Sequence, residues 1–475
     1  MVVGSGPNGL AGAIRLAEHG LRVLVLEGAA TIGGGARSGE ITLPGFIHDL
    51  CSAIHPLGIG SPVFRRLPLE RYGLEWIHPE FPLAHPLDDG TAVILHQSLD
   101  RTAAGLGDDA TAYRQMMRPL LKNWQGLADE FLQPMLHWPR HLILLARFGL
   151  RALPAASFVA RRWFNDEPAR ALFGGIAAHS FLPLDQPGSS AFAVVLALLG
   201  HAVGWPLPRG GSGMLSHALA EHFRSLGGEI CLNSPVGSLE ELPSSRITLL
   251  EITPRQLLRI AGVRLPRSYR KKLETYRYGP GVFKIDYALN GPIPWRTAEC
   301  RGAGTVHLGG TFDQIARGED MVAQGEYPER PFVLLTQPTL FDPGRAPAGK
   351  HIVWAYTHVP SGSTRDLTNE IETQIERFAP GFGRLILARH AETCPELQAR
   401  NPNLVGGDIN GGSADLWQLL ARPTLSFCPY RTPLPGVYLC SASTPPGGGV
   451  HGMCGYHGAN AALKEFGRRT SPRPV

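Results

Sequence analysis

Apolar residues open the chain at Val2 and Val3, give way to a run of small residues, and resume with helical spacing at Leu10, Ile14, Leu16 and Ala17. This pattern predicts a strand, a turn and a helix reaching His19, and the Val/Leu-rich segment 22–26 predicts a second strand. Strand-like pieces follow at 74–77 and 91–95, set between Pro and Gly turns and leading into a second sheet. From about 98 to 204 the period is mainly helical. Segment 141–164 is apolar, carries Arg147, Arg151, Arg161 and Arg162 at helical spacings, and breaks at Pro154. Segment 190–203 is almost wholly apolar but shorter than the roughly 20 residues a bilayer span needs. Beyond it the pattern predicts a helix over 215–226, strands over 228–236 and 246–252, and a helix over 254–261. Period-two alternation over 280–289 places Lys284 and Asp286 on one face. Strands at 332–337 and 351–359 and a helix at 369–379 come next. A strand at 436–443, a glycine-rich loop at 444–452 and a helix at 453–466 close the chain.

The first turn carries chemistry. Gly4-Ser5-Gly6-Pro7-Asn8-Gly9 is a G-x-G-x-x-G turn between a strand and a helix. Gly4 permits the tight turn, Gly6 lets a pyrophosphate approach the backbone, and Gly9 lets helix and strand pack closely. Pro7 and Asn8 lie where the helix N-terminus offers free N–H groups and a positive dipole to phosphate. Glu27, eighteen residues past Gly9, ends the second strand and can accept from two ribose hydroxyls. Strand, turn, helix, strand and acid in this order indicate a dinucleotide, whereas the isolated motif would be no more than a glycine-rich turn.

Ile32-Gly33-Gly34-Gly35-Ala36-Arg37 then adds backbone and one guanidinium close to the pyrophosphate. This cluster resembles the glycine-doublet-and-arginine signature of the FAD amine oxidase and phytoene desaturase superfamily, and the implied cofactor is FAD. Further segments continue the likeness: Pro44-Gly45-Phe46 with Asp49, the Pro208 to Gly213 lead-in to a helix, the Val282 to Lys284 strand, and the late strand, glycine loop and helix. The chain as a whole is similar to phytoene-dehydrogenase-like FAD oxidoreductases, in particular the group named pyridine nucleotide-disulphide oxidoreductase domain-containing protein 2.

The resemblance implies an α/β fold, with a Rossmann-like FAD-binding domain built from discontinuous segments 1–72, 205–262 and 421–475. A substrate domain of mixed sheet plus helical cap takes 73–204 and 263–420. It implies cofactor contacts at Gly4, Gly6, Pro7, Asn8, Gly9, Glu27, Gly34, Gly35 and Arg37, at Val236 beside the adenine, at Ser441 by the ribityl chain, and at Gly452 and Met453 by the pyrimidine end. Relatives carry Gly-Asp where this chain has Cys440-Ser441, so the usual ribityl acid is absent. Lys284 takes the place of the lysine that holds a water against flavin N5; the alternative is an exposed edge-strand lysine paired with Asp286. His451, among loop glycines, is the second catalytic candidate, as a titrating group or as a turn filler. His48, Asp49, Ser52 and His55 either pass the flavin or serve turn and cap chemistry.

Composition narrows the classes. With 475 residues, 43% hydrophobic and 18% charged, the chain is globular and long enough for two domains or more. The net charge of +5 comes from arginines spread along the chain, six of the 45 basic residues being Lys, with no basic face for nucleic acid. Seven cysteines without C-x-x-C spacing argue against disulfide chemistry and against a metal site. No second G-x-G-x-x-G marks a separate NAD(P)H domain. No signal-peptide pattern opens the chain, which begins almost inside its first strand, so the expected compartment is cytoplasmic, with peripheral membrane contact through the cap arginines.

The expected function is hydride transfer from a largely apolar or amphipathic small molecule to FAD, reoxidised by oxygen or a quinone. The alternatives are a flavin amine oxidase and a non-redox, flavin-dependent isomerase or FAD-holding partner protein. All of them require the opening and closing glycine segments to be neighbours in space.

Overall fold

The computed structural model describes residues 1–134 and 136–470. Its first sheet is parallel and has five strands, in the order Val437–Leu439, Thr248–Leu250, Val2–Val3, Leu24–Leu26 and Glu229–Cys231. Both faces are covered, as an all-parallel sheet requires. Val2, Val25 and Leu249 are fully buried, and each contributes about 2 kcal/mol through burial. The helices Pro7–Ala17, Gly213–Ser225 and Met453–Thr470 share one core with this sheet. Strands from the start, middle and end of the chain thus meet side by side.

The second sheet is mixed, with seven strands in the order Ile386–Glu392, Gly281–Leu289, His351–Val359, Val333–Thr336, Ala303–Leu308, Phe81–Pro86 and Ala92–Leu95. Its pairs are antiparallel except Ala303–Leu308 with Phe81–Pro86. Alternation divides its faces. Phe283, Ile285 and Tyr287 join Val353 and Ala355 in a core shared with the helix Thr368–Phe378. Val282, Leu334, Trp354 and Tyr356 face the other way, into the core of the helical cap. That cap includes Leu142–Ala152 and Ala156–Trp163, separated at Pro154, and the buried helix Ser189–Ala202.

Three strands of this second sheet differ from the sequence pattern. Phe81–Pro86 pairs on both sides although it contains two prolines; Pro82 falls between the registered pairs Phe81 with Ala303 and Leu83 with Thr305. Ala303–Leu308 also pairs on both sides, hidden in the sequence by Gly304 and His307, while Ile386–Glu392 pairs only with Gly281–Leu289, half-exposed at the sheet edge.

Candidate cofactor and substrate site

The site begins where the first strand ends. Gly4 turns there with φ +99°, a conformation that glycine adopts without strain. Glu27, at the end of the neighbouring strand, accepts from the Ser5 N–H at 2.9 Å, the Ser5 hydroxyl at 2.6 Å and the Ala29 N–H at 2.9 Å. A methyl at Gly9 would lie 2.2 Å from the Gly4 carbonyl oxygen, so helix and strand cross here without side chains.

The turn already cradles an acid group. The carboxylate of Glu251, which directly follows the strand Thr248–Leu250, accepts from the Gly6 N–H at 2.6 Å and the Asn8 N–H at 3.1 Å. The donors aimed by this turn therefore suit phosphate, and the residues present fit a dinucleotide. Glu251 escaped the sequence reading. An acid just past a parallel neighbour of the first strand was the available signal, but only the strand order places it in the turn.

The remaining cofactor candidates gather around the turn. The Gly33 N–H donates to the Ser5 carbonyl at 3.1 Å, and the Arg37 Nε to the Gly34 carbonyl at 2.8 Å. The Gly35 carbonyl accepts from the Ser52 N–H at 3.0 Å and the Ser52 hydroxyl at 2.9 Å. Val236 follows Pro235, which lies against Gly28 beside Glu27. From the far end of the chain, a methyl at Gly455 would fall 1.7 Å from the Asn8 carbonyl oxygen. The opening and closing glycine segments are neighbours.

Ser441 donates to the Ile252 carbonyl at 2.7 Å and accepts from the Ser443 N–H at 3.2 Å. Gly452 packs against Phe64 and Ala11. The Met453 N–H donates to His451 Nδ1 at 3.0 Å, so this imidazole caps the last helix. Burial pulls its pKa down to about 4, and His451 is neutral around pH 7, a helix cap rather than a group titrating in the neutral range.

Lys284 is 3% exposed on an interior strand, which removes the exposed-edge alternative. It pairs with Asp286 and lies 5.9 Å from the Trp354 ring centroid. His48 Nδ1 stands 3.6 Å from Asp286 and its Nε2 bonds Thr42 at 2.7 Å. Burial alone would raise the Asp286 carboxyl, yet Lys284 and His48 bring it below the usual range. Asp49 pairs with the buried Arg345 at 2.9 Å and accepts from the Ser212 N–H at 2.7 Å, while His55 bonds the Ser212 hydroxyl at 2.7 Å. Burial pushes the Cys51 thiol up, against the opposing charges of Arg400, Lys284 and Arg37. Lys284 and Arg37, predicted from distant segments, thus act on one thiol.

The sequence reading also missed a buried imidazole group over the same sheet face. His179 Nε2 meets His307 Nε2 at 3.0 Å, His85 bonds the Gly310 carbonyl at 2.7 Å, and His358 Nδ1 bonds both oxygens of Glu319 at 2.8 Å. These histidines come from separate strands and the end of a cap helix, so no local spacing announces them. Among the described residues no group of three or more His, Cys, Asp and Glu is arranged to hold a metal ion, and no helix is long and apolar enough to cross a membrane.

A family model described as NAD(P)-binding Rossmann-like domain matches residues 2–67. The chain is 25% identical to pyridine nucleotide-disulfide oxidoreductase domain-containing protein 2 of Rattus norvegicus, over 98% of this chain and 93% of that protein. It is 26% identical to phytoene dehydrogenase of Streptomyces griseus, over 81% and 80%. The structure of putrescine oxidase bound to putrescine superposes with a TM-score of 0.62 at 17% identity, covering 98% of each chain. The superfamily resemblance, the oxidoreductase class and FAD as cofactor are all in accord with these relatives.

Proposed function

We propose that this FAD-dependent oxidoreductase is of the dehydrogenase or desaturase type, oxidising a largely apolar or amphipathic small molecule, with oxygen or a quinone as acceptor. One observation carries the reading. The sheet face bearing Lys284 is roofed by the apolar cap, and its Lys284 end reaches Cys51 beside the glycine segments. When bound, FAD supplies the two-electron chemistry. Gly6, Asn8 and Glu27 hold the dinucleotide end, neutral His451 fixes the start of the last helix, and the cap excludes water. Lys284, charged against Asp286, supplies a positive group where electron density would rise.

A second reading, amine oxidation, is favoured by the Trp354 and Tyr356 rings beside Lys284, 5.2 Å apart and edge-on. Anaerobic titration of the yellow protein separates the two. Bleaching by a polyene or long-chain lipid and none by primary amines is the expected result. Bleaching by amines alone would replace the first reading by the second, and no bleaching by either would favour the non-redox alternative.

The cap also supports peripheral membrane contact. Trp138, Ile143, Leu150 and Phe158 are 90%, 73%, 77% and 62% exposed, alongside Arg147, Arg161 and Arg162. Such a surface suits the interface of an anionic bilayer. The protein is expected to sediment with vesicles containing phosphatidylglycerol, and Ile143→Glu with Leu150→Glu to lower the bound fraction severalfold. Equal sedimentation of the two forms would remove the contact.

A further inference from the structure

The N–H groups that a pyrophosphate would use are held by the chain's own acid. Glu251 is fixed from both sides: its N–H donates to the Val3 carbonyl at 2.8 Å, and its carbonyl accepts from the Asn403 side chain at 2.9 Å. Its position leaves it no easy way out of the turn, since methyls at Gly6 and Gly9 would lie 2.6 and 2.5 Å from its carboxylate oxygens. Among the described residues no cation pairs with it. The ionisable groups acting on it are Glu27 from the second strand, Cys440 at the end of the last strand, and Cys454 on the last helix. Both thiols are buried and pushed up, so they are neutral; Glu27 adds a second negative charge.

A bound pyrophosphate would bring further negative charge to this buried carboxylate, which has no ion-pair partner of its own among the described residues. A proton on Glu251 resolves the conflict. The neutral carboxyl still accepts from one N–H and turns its O–H toward a phosphate oxygen. We propose that Glu251 is a proton-linked gate on cofactor loading: FAD enters the opening turn only with this carboxyl protonated, so that loading in alkaline solution takes up one proton from solvent. The inference rests on the FAD reading and adds to it a residue that sets when the cofactor can bind.

Burial raises the Glu251 carboxyl to about 8, opposed by the N–H groups of Gly9, Gly6 and Asn8 and reinforced by Glu27. The sign follows from linkage. The FAD-bound form holds the proton more tightly than the empty form. Below about pH 8 the acid is protonated before FAD arrives and affinity is level; above it each pH unit weakens binding by up to about tenfold.

FAD affinity of the deflavinated protein, followed by flavin fluorescence from about pH 6.5 to about pH 9.5, tests this. The wild type is expected to weaken more than tenfold over the alkaline part of the range, and Glu251→Gln to stay level. Calorimetry of the wild type at about pH 9, in two buffers of different ionisation enthalpy, should show about one proton taken up per FAD. This second measurement needs no variant. Matching pH profiles for wild type and variant, or no proton uptake, would overturn the gate while leaving the cofactor reading intact. Failure to bind FAD at any pH would overturn both.

Discussion

Gly455→Ala is expected to weaken FAD binding at least about a hundredfold and to lower thermal stability as well. The added methyl would lie 1.7 Å from the Asn8 carbonyl oxygen, 2.6 Å from its carbon and 2.9 Å from the Gly12 nitrogen. All three are backbone atoms, so no flexible side chain can swing aside. Ordinary contact requires the last helix and the opening helix to part by more than an ångström, and overpacking of this kind costs about 1–3 kcal/mol or more. The opening helix cannot retreat without moving the N–H groups of Gly6 and Asn8, which must point at phosphate. One methyl on the far end of the chain therefore reaches the cofactor through backbone geometry alone. Gly262→Ala is the matched control, since a methyl there meets nothing within 4 Å. Fluorescence titration and thermal melts of both variants decide it. A Gly455→Ala protein that binds FAD within about threefold of wild type would show that the two helices do not set the turn.

What the sequence disclosed about this site follows from how far apart the cooperating residues lie. The turn from Gly4 to Gly9 and the acid Glu27 are legible because a phosphate cradle and its ribose acceptor fit within one strand–helix–strand unit. The closing loop and helix are legible for the same reason, and the structure lays the two against each other. The helices Pro254–Ala261 and Thr368–Phe378 follow their apolar period closely.

Glu251 was not legible, because its hydrogen bonds join residues 245 and 243 positions away. Only the order of strands in the parallel sheet brings it to the turn. The strand Ala303–Leu308 escaped because Gly304 and His307 break its apolar run, although it is buried throughout. The helix Phe312–Ala323 carried a capping box, Thr311 with Gln314, that outweighs its mixed composition. Lys284 was seen as a face partner of Asp286, yet its burial depended on two neighbouring strands, one of them unpredicted.

Lys284→Met should produce the largest combined effect on stability and reactivity. Lys284 and Asp286 are 3% and 0% exposed, and removing one member of a buried pair costs about 3–5 kcal/mol because the other charge is left uncompensated. His48, 3.6 Å from Asp286, offsets part of this. The pH dependence separates the ion pair from simple loss of packing. In the wild type the Asp286 carboxyl lies below its ordinary 3.8, so its contribution to stability is present above that value and lost as pH falls through the lower folded one. In the variant burial acts on Asp286 without the lysine, the carboxyl rises, and the destabilisation is largest near neutral pH and shrinks as the medium becomes acidic. Lys284→Met with Asp286→Asn should regain most of the lost stability, since neither buried charge remains. It should not regain reactivity. If Lys284 supplies the positive group beside the reduced ring, single and double variants both reoxidise slowly in oxygen while still binding FAD. Urea unfolding at two pH values and stopped-flow reoxidation check the two halves independently. Recovery of reoxidation in the double variant would make Lys284 a partner for Asp286 and nothing more, and the positive group at the ring would have to be sought among Arg37 and Arg400, the other cations acting on Cys51.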